Sequence, residues 1–254
     1  MFGRITSAIF AAAAAGAAIA TSGLIAAGTA NAATGPVRVV YNNHFAGYHT
    51  ASGDTWRFRY VATTVPLAAC QVRIAPGKNP VAHIELFGGT DWSADIDVTC
   101  NSGTPTIFFF DQKSAATHAQ GAFRLSARVG DRLRISISRS VSRHRDSFTV
   151  TNLRTRGSQT VGVTTSTAVV YRHAFMGSGI SSNADVMPLP ANNTLLWTFW
   201  SSRVVTNGGV RGTLRGPWAA VKYIDRTAGG VLVMYPGKLS SAGGGFSTYL
   251  HAAP

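Results

Sequence analysis

Three groups of residues in this chain have the types and spacing to do chemistry. His83 and Glu85 form an H-x-E pair inside an alternating segment. In an extended strand, residues two apart point to one face, so imidazole and carboxylate would sit side by side. That is half of a metal site or an acid–base pair, with a plain strand-surface pair as the default. Asp95 and Asp97 repeat the pattern, with Asp91 close by. Paired carboxylates can share a proton or hold calcium, although ion pairing with the many arginines competes. Gln71 is an amide that could serve beside them. The third group is the hairpin from Ser138 to Asp146, with Arg139, Arg143, His144 and Arg145. A solvated loop tip is its default, and an anion-binding finger is the sharper alternative.

Other chemistry is absent from the sequence. There is no G-x-S-x-G elbow, no H-E-x-x-H and no P-loop. The P-C-x-x-C that would complete an H-x-E deaminase site is also missing. No cofactor or metal is expected. Trp92, Trp197, Trp200 and Trp218 could stack on sugars, but a domain of this size needs most of them in its core.

These residues need strands to position them. Trp56, Phe58 and Tyr60 alternate with Arg57 and Arg59, and Leu133, Ile135 and Ile137 alternate with Arg134, Ser136 and Ser138. Period-two runs with one apolar and one wet face predict antiparallel sheets. The same test predicts strands at Val37–Tyr41, Val81–Phe87, Ala94–Thr99, Thr106–Asp111, Ala122–Val129, Thr167–Phe175, Thr194–Trp200, Ala219–Asp225 and Val231–Tyr235. Turn residues such as Gly88-Gly89, Gly130-Asp131 and Asn207-Gly208-Gly209 separate them. Many short strands with regular turns mean one all-β sandwich or barrel.

The start of the chain reads as a cleaved secretory signal over residues 1–32. Arg4 precedes an Ala-rich apolar run, and Ala30-Asn31-Ala32 has the A-x-A form that signal peptidase reads. A single domain, residues 33–254, would follow, secreted and without a membrane span. The chain carries a formal charge of +13, with 23 Lys and Arg against 10 Asp and Glu. Glu85 is its one glutamate. An Arg-rich surface of this kind favours anionic partners such as cell-wall polymer or polysaccharide. The only cysteines, Cys70 and Cys100, are expected to pair outside the cytoplasm.

The order of segments resembles a known family. Asn43-His44-Phe45-Ala46-Gly47-Tyr48 looks like the opening N-x-W-A-G-Y block of actinobacterial proteins similar to G1 peptidases, the eqolisins. Val61 to Pro66 followed by Cys70 resembles the family's first core strand, and Gly88-Gly89 its G-G turn. Asp97-Val98-Thr99-Cys100 falls at its Q-x-G-x-x-x-x-C stretch. Val129-Gly130-Asp131-Arg132-Leu133 resembles its V-x-x-G-D-x-I, Thr167 to Tyr171 its T-A-E-x-(I/V), and Tyr223 to Phe246 its closing strands. The resemblance implies a bent antiparallel β-sandwich of concanavalin A-like, jelly-roll architecture. It also implies a Gln and a Glu that activate water and hold the oxyanion. On this alignment the Gln position falls on Ser93 and the Glu position on Val169, neither of which can do that work.

The sequence therefore predicts a secreted, monomeric, G1 peptidase-like β-sandwich without peptidase activity. It would bind an anionic polymer through Arg132, Arg134, Arg139, Arg143 and Arg145, with no specific nucleic-acid partner. The alternative is an acid endopeptidase with a displaced catalytic pair, drawn from Glu85, Asp95, Asp97 and Gln71. Carboxylates converging in a groove on the concave sheet would favour the enzyme; a basic or aromatic strip alone would favour the binder.

Overall fold

A computed structural model describes residues 37–42, 45–51, 55–72, 74, 79–88, 92–101, 103–113, 118–165, 169–180, 192–226 and 230–251. The expected signal segment, Asp91 and most of the Pro188–Asn193 loop lie outside the described residues. In chain order the strands begin with β1 (Arg38–Asn42), β2 (Phe45–Ala51), β3 (Phe58–Pro66), β4 (Pro80–Phe87) and β5 (Ser93–Asn101). They continue with β6 (Thr104–Gln112), β7 (His118–Ala122), β8 (Arg132–Ser140), β9 (Arg145–Asn152), β10 (Ser158–Thr164) and β11 (His173–Ile180). The last are β12 (Thr194–Thr206), β13 (Arg211–Gly212), β14 (Ala219–Arg226), β15 (Leu232–Pro236) and β16 (Phe246–Leu250). The one helical element among the described residues is a 3-10 turn, Leu67–Gln71, and no described helix is long and apolar enough to cross a membrane.

The strands follow one hydrogen-bonded path, β10-β9-β8-β3-β12-β16-β15-β14-β2-β11-β4-β5-β6-β7, and every step along it is antiparallel. The path folds over on itself at β12. The first half of that strand pairs with β16 and the second half with β3, and a register break between Trp200 and Arg203 separates the two. Two layers result: a front sheet running from β16 through β4 and β5 to β7, and a back sheet of β10, β9, β8, β3 and the end of β12.

Alternation decides which side chains lie between the layers. Ala82, Ile84 and Leu86 of β4 and Ala94, Ile96 and Val98 of β5 are buried from the front. Leu133, Ile135, Ile137, Phe148 and Val150 are buried from the back. The Phe109 and Phe148 rings meet across the interface at 5.3 Å. Truncating any of the larger members to Ala would cost about 2–5 kcal/mol. The Cys70–Cys100 disulfide ties the 3-10 turn to β5, with Cα atoms 4.9 Å apart.

Two strands sit elsewhere than the alternation predicts. The ladder of β7 ends at Ala122, and beyond it Phe123 makes one more backbone bond, to Ile107, before the chain leaves the sheet. The segment expected at Thr167–Phe175 forms its ladder at His173–Ile180 instead, with Tyr171 making an isolated bridge to Phe58. Gly177 and Gly179 hide this strand from a propensity reading. A Cβ on Gly177 would lie 2.5 Å from the Ala46 carbonyl oxygen, so the close approach of β2 requires glycine there.

Candidate functional site

With Ala82, Ile84 and Leu86 facing the core, His83, Glu85 and Phe87 must face outward from β4. The same logic turns Asp95 and Asp97 outward from β5. The register then pairs His83 with Asp97 and Glu85 with Asp95. Directly opposed residues in an antiparallel pair have Cβ atoms about 4.5–5.5 Å apart. The H-x-E and D-x-D motifs thus merge into one two-by-two patch. His83 Nδ1 lies 2.6 Å from Asp97 Oδ1, and Nε2 lies 3.5 Å from Glu85 Oε2. Ser93 Oγ donates to Asp95 Oδ2 at 3.2 Å. No Lys or Arg among the described residues forms an ion pair with any of the three carboxylates.

Aromatic rings wall the patch. Phe45 stacks on His83 at 4.9 Å, and Phe175, the neighbour of Glu85 on β11, lies 5.7 Å from the same imidazole. Asn42, Phe45, Glu85, Phe87, Phe175 and Tyr223 line a pocket of about 190 Å³. The Glu85 and Asp97 side chains keep 23% and 27% of their surface open, while His83 and Asp95 are buried. Behind the pocket His49 is buried against Tyr223, His173 and Phe87, and among the described residues neither of its ring nitrogens has a partner at full hydrogen-bond geometry.

These surroundings separate the protonation behaviour of the groups. Burial alone would lower the His83 pKa, but the charge and hydrogen bond of Asp97, with help from Glu85, carry it well above the ordinary histidine value. Burial pushes Asp95 well above the usual carboxylate range; the His83 charge opposes this, and the Asp97 and Glu85 charges reinforce it. Burial, with the nearby His173 and Arg38 charges, lowers His49 to about 3. Burial also lowers His173, whose Nδ1 donates to the Thr50 carbonyl at 3.1 Å. A carboxyl that keeps its proton beside a partly open carboxylate is the pairing that general acid–base chemistry uses. His83, Asp95 and Asp97 also bring donor atoms within 4.8 Å of one another, close enough for a cation. Metal ligation needs a neutral imidazole, whereas the contact with Asp97 favours the protonated one.

The other expected residues disperse. Gln71 closes the 3-10 turn, and its side chain lies outside the described residues. Val169 is buried in the core cluster. Arg132, Arg134, Arg143 and Arg145 are exposed, the first two on the outer face of the back sheet. Arg139 is not at the hairpin tip's surface. It is buried, and its Nη1 donates to Asp146 Oδ2 at 3.0 Å. That pair belongs to an interior network that motif reading missed. Lys113 contacts Asp111, Asp146 and Tyr171, and Tyr171 Oη donates to Asp146 at 2.9 Å. Burial, partly offset by Lys113, pushes Asp111 up to about 6. The signal was available, because Asp111 continues the Ile107, Phe109 core face of β6.

No family model matches the sequence, and no curated protein matches it. Solved structures do. Scytalido-glutamic peptidase, crystallised with a transition state analog inhibitor, superposes with a TM-score of 0.59 at 14% identity, covering 83% of this chain and 99% of that one. SCP-B, a member of the eqolisin family of peptidases in complex with the tripeptide Ala-Ile-His, gives 0.53 at 14% identity, over 84% and 99%. The chain has the β-sandwich fold of the G1 peptidases.

Proposed function

We propose that the protein is an acid-acting hydrolase of extended peptide chains, with Glu85 and Asp95 as its acid–base pair. The observation that carries this reading is the pairing of those two carboxyls across β4 and β5 beside an aromatic-lined pocket. Glu85, the more open, takes a proton from water as the water oxygen bonds to the peptide carbonyl carbon. Asp95, which holds its proton, gives it to the departing amine as the C–N bond breaks. Transfer from Glu85 to Asp95 restores both. The His83 cation, held by Asp97 and in contact with Glu85, adds positive charge beside the pair and would favour negative charge developing on a substrate in the pocket. Phe45, Phe87, Phe175 and Tyr223 would receive an apolar side chain of the substrate. The ligands of the two solved peptidases, a transition state analog and a tripeptide, support a peptide as the substrate class. The disulfide and the apolar, Ala-rich start of the chain support action outside the cytoplasm. The test is digestion of a denatured protein at pH 3–6 with mass-spectrometric mapping of the products. Cleavage next to apolar residues, abolished in Glu85→Gln with melting temperature retained, is expected; no cleavage by the unmodified protein overturns the reading.

A second reading is that the basic surface binds an anionic polymer. The exposed Arg132 and Arg134 on the outer face of the back sheet, with Arg145 on the neighbouring strand, favour it. The two readings use opposite faces of the sandwich and can both hold.

A further inference from the structure

Beside the back sheet opens a groove of about 860 Å³, lined in part by Arg59, Tyr60, Ser138, Ser201, Arg203 and Arg211. Its volume lies in the ~300–1,000 Å³ range of ligand sites. Arg59, Arg203 and Arg211 are exposed, and none forms an ion pair among the described residues. No described carboxylate lines the groove. In a chain with 10 acids and 23 bases, three guanidinium groups sharing one concavity leave a strong positive potential without an internal counter-charge.

The backbone is specialised at the same place. The register break of β12 lies between Trp200 and Arg203, and Ser201 within it adopts φ 53°. A non-glycine residue in the left-handed region costs on the order of 1 kcal/mol, and bulges re-aim side chains at the rims of sites. Here the break puts Ser201, Ser202 and Arg203 in succession on the groove wall, Ser202 the most buried of them and tied by its N–H to the Gly244 carbonyl at 2.9 Å. The described lining thus combines guanidinium forks, serine hydroxyls and a single aromatic ring. Forks match the oxygens of sulfate or phosphate esters, hydroxyls match sugar hydroxyls, and one ring is a platform for a sugar. One ring is too few for the row of stacking platforms that single-stranded nucleic acid uses.

We propose that this groove binds a segment of a sulfated or phosphorylated polysaccharide, with Arg59, Arg203 and Arg211 on its ester oxygens and Tyr60 against a sugar ring. The proposal deepens the polymer-binding reading of the basic face and rests on it. It moves the site from the open face of the back sheet to the groove.

The test is titration of the purified protein at 0.15 M salt with a heparin tetrasaccharide and, separately, with a short phosphorylated mannan oligosaccharide. The two arms distinguish a sulfate from a phosphate source. Two double variants carry the same charge change: Arg203→Glu with Arg211→Glu in the groove, and Arg132→Glu with Arg134→Glu on the open face. The groove pair should weaken binding by about tenfold or more, and the open-face pair by less than about threefold, since loss of direct forks outweighs a screened field. Arg203→Lys with Arg211→Lys keeps the charge and loses the fork; a several-fold weakening at unchanged melting temperature supports the groove, and this variant decides if charge reversal impairs folding. Equal weakening by the two Glu pairs overturns the groove while leaving the basic-face reading intact. Absence of binding to both probes overturns both.

Discussion

Replacing His49 with Phe should make the protein more acid-stable, and by an amount that grows as pH falls. His49 is buried, its ring nitrogens lack well-formed hydrogen bonds among the described residues, and its pKa is lowered to about 3, chiefly by burial. An unfolded histidine titrates near 6.5. Below that value the unfolded chain takes up a proton that the folded site refuses, so stability is lost as pH falls from about 6.5 towards 3. The slope is about 1.4 kcal/mol per pH unit, or about 3 kcal/mol between pH 7 and pH 4.5. Phe removes this loss and the poorly bonded ring nitrogens, against a packing cost of about 1–3 kcal/mol that does not depend on pH. The groups facing His49 are His173, Arg38 and Tyr223, and His173 adds its own acid slope in both proteins. The difference between the two proteins isolates His49. Urea unfolding followed by tryptophan fluorescence at pH 7, 6, 5 and 4.5 measures it. A difference that stays constant over that range would refute the reasoning. His83 acts with the opposite sign: its raised pKa stabilises the fold fully below about 6.5, and that contribution is lost as pH rises through the folded value.

Two further outcomes follow from the same structure. Replacing Cys70 and Cys100 together by Ser should lower unfolding free energy by about 3–4 kcal/mol, the chain-entropy value for a separation of 30 residues, as read by denaturant titration. Asp146→Ala leaves Arg139 and Lys113 buried without their shared partner and should cost about 3–5 kcal/mol, visible as a large drop in melting temperature, whereas Arg143→Ala at the exposed tip should shift it little.

The strands were legible wherever one face was apolar and the other wet, as in Leu133–Ser138 and Phe148–Thr151. The strand is displaced where glycine replaces the outward side chain, as in β11, and absent from the sequence reading where a polar edge strand carries little burial, as in β10. The H-x-E and D-x-D motifs were each visible, but their union was not. It depends on the β4–β5 register, which places His83 against Asp97 and not one residue away. The burial of Arg139 is readable in the sequence. The alternation that sends Leu133, Ile135 and Ile137 inward continues to Arg139, and Asp146 begins the inward series Asp146, Phe148, Val150 on the facing strand. Charge type suggested surface where periodicity said core.

The most direct test of the account is the pH–rate profile of peptide cleavage by the unmodified protein and by Asp95→Asn. If Asp95 supplies the proton to the leaving amine, kcat/KM holds while its raised pKa keeps the group protonated and falls as pH climbs through that value. Asp95→Asn should lose about a hundredfold or more in kcat/KM while melting as the unmodified protein does, and chelators should change neither rate. Cleavage by Asp95→Asn at the full rate, or a loss of activity on removal of a metal, would contradict the assignment of Glu85 and Asp95 as the working pair.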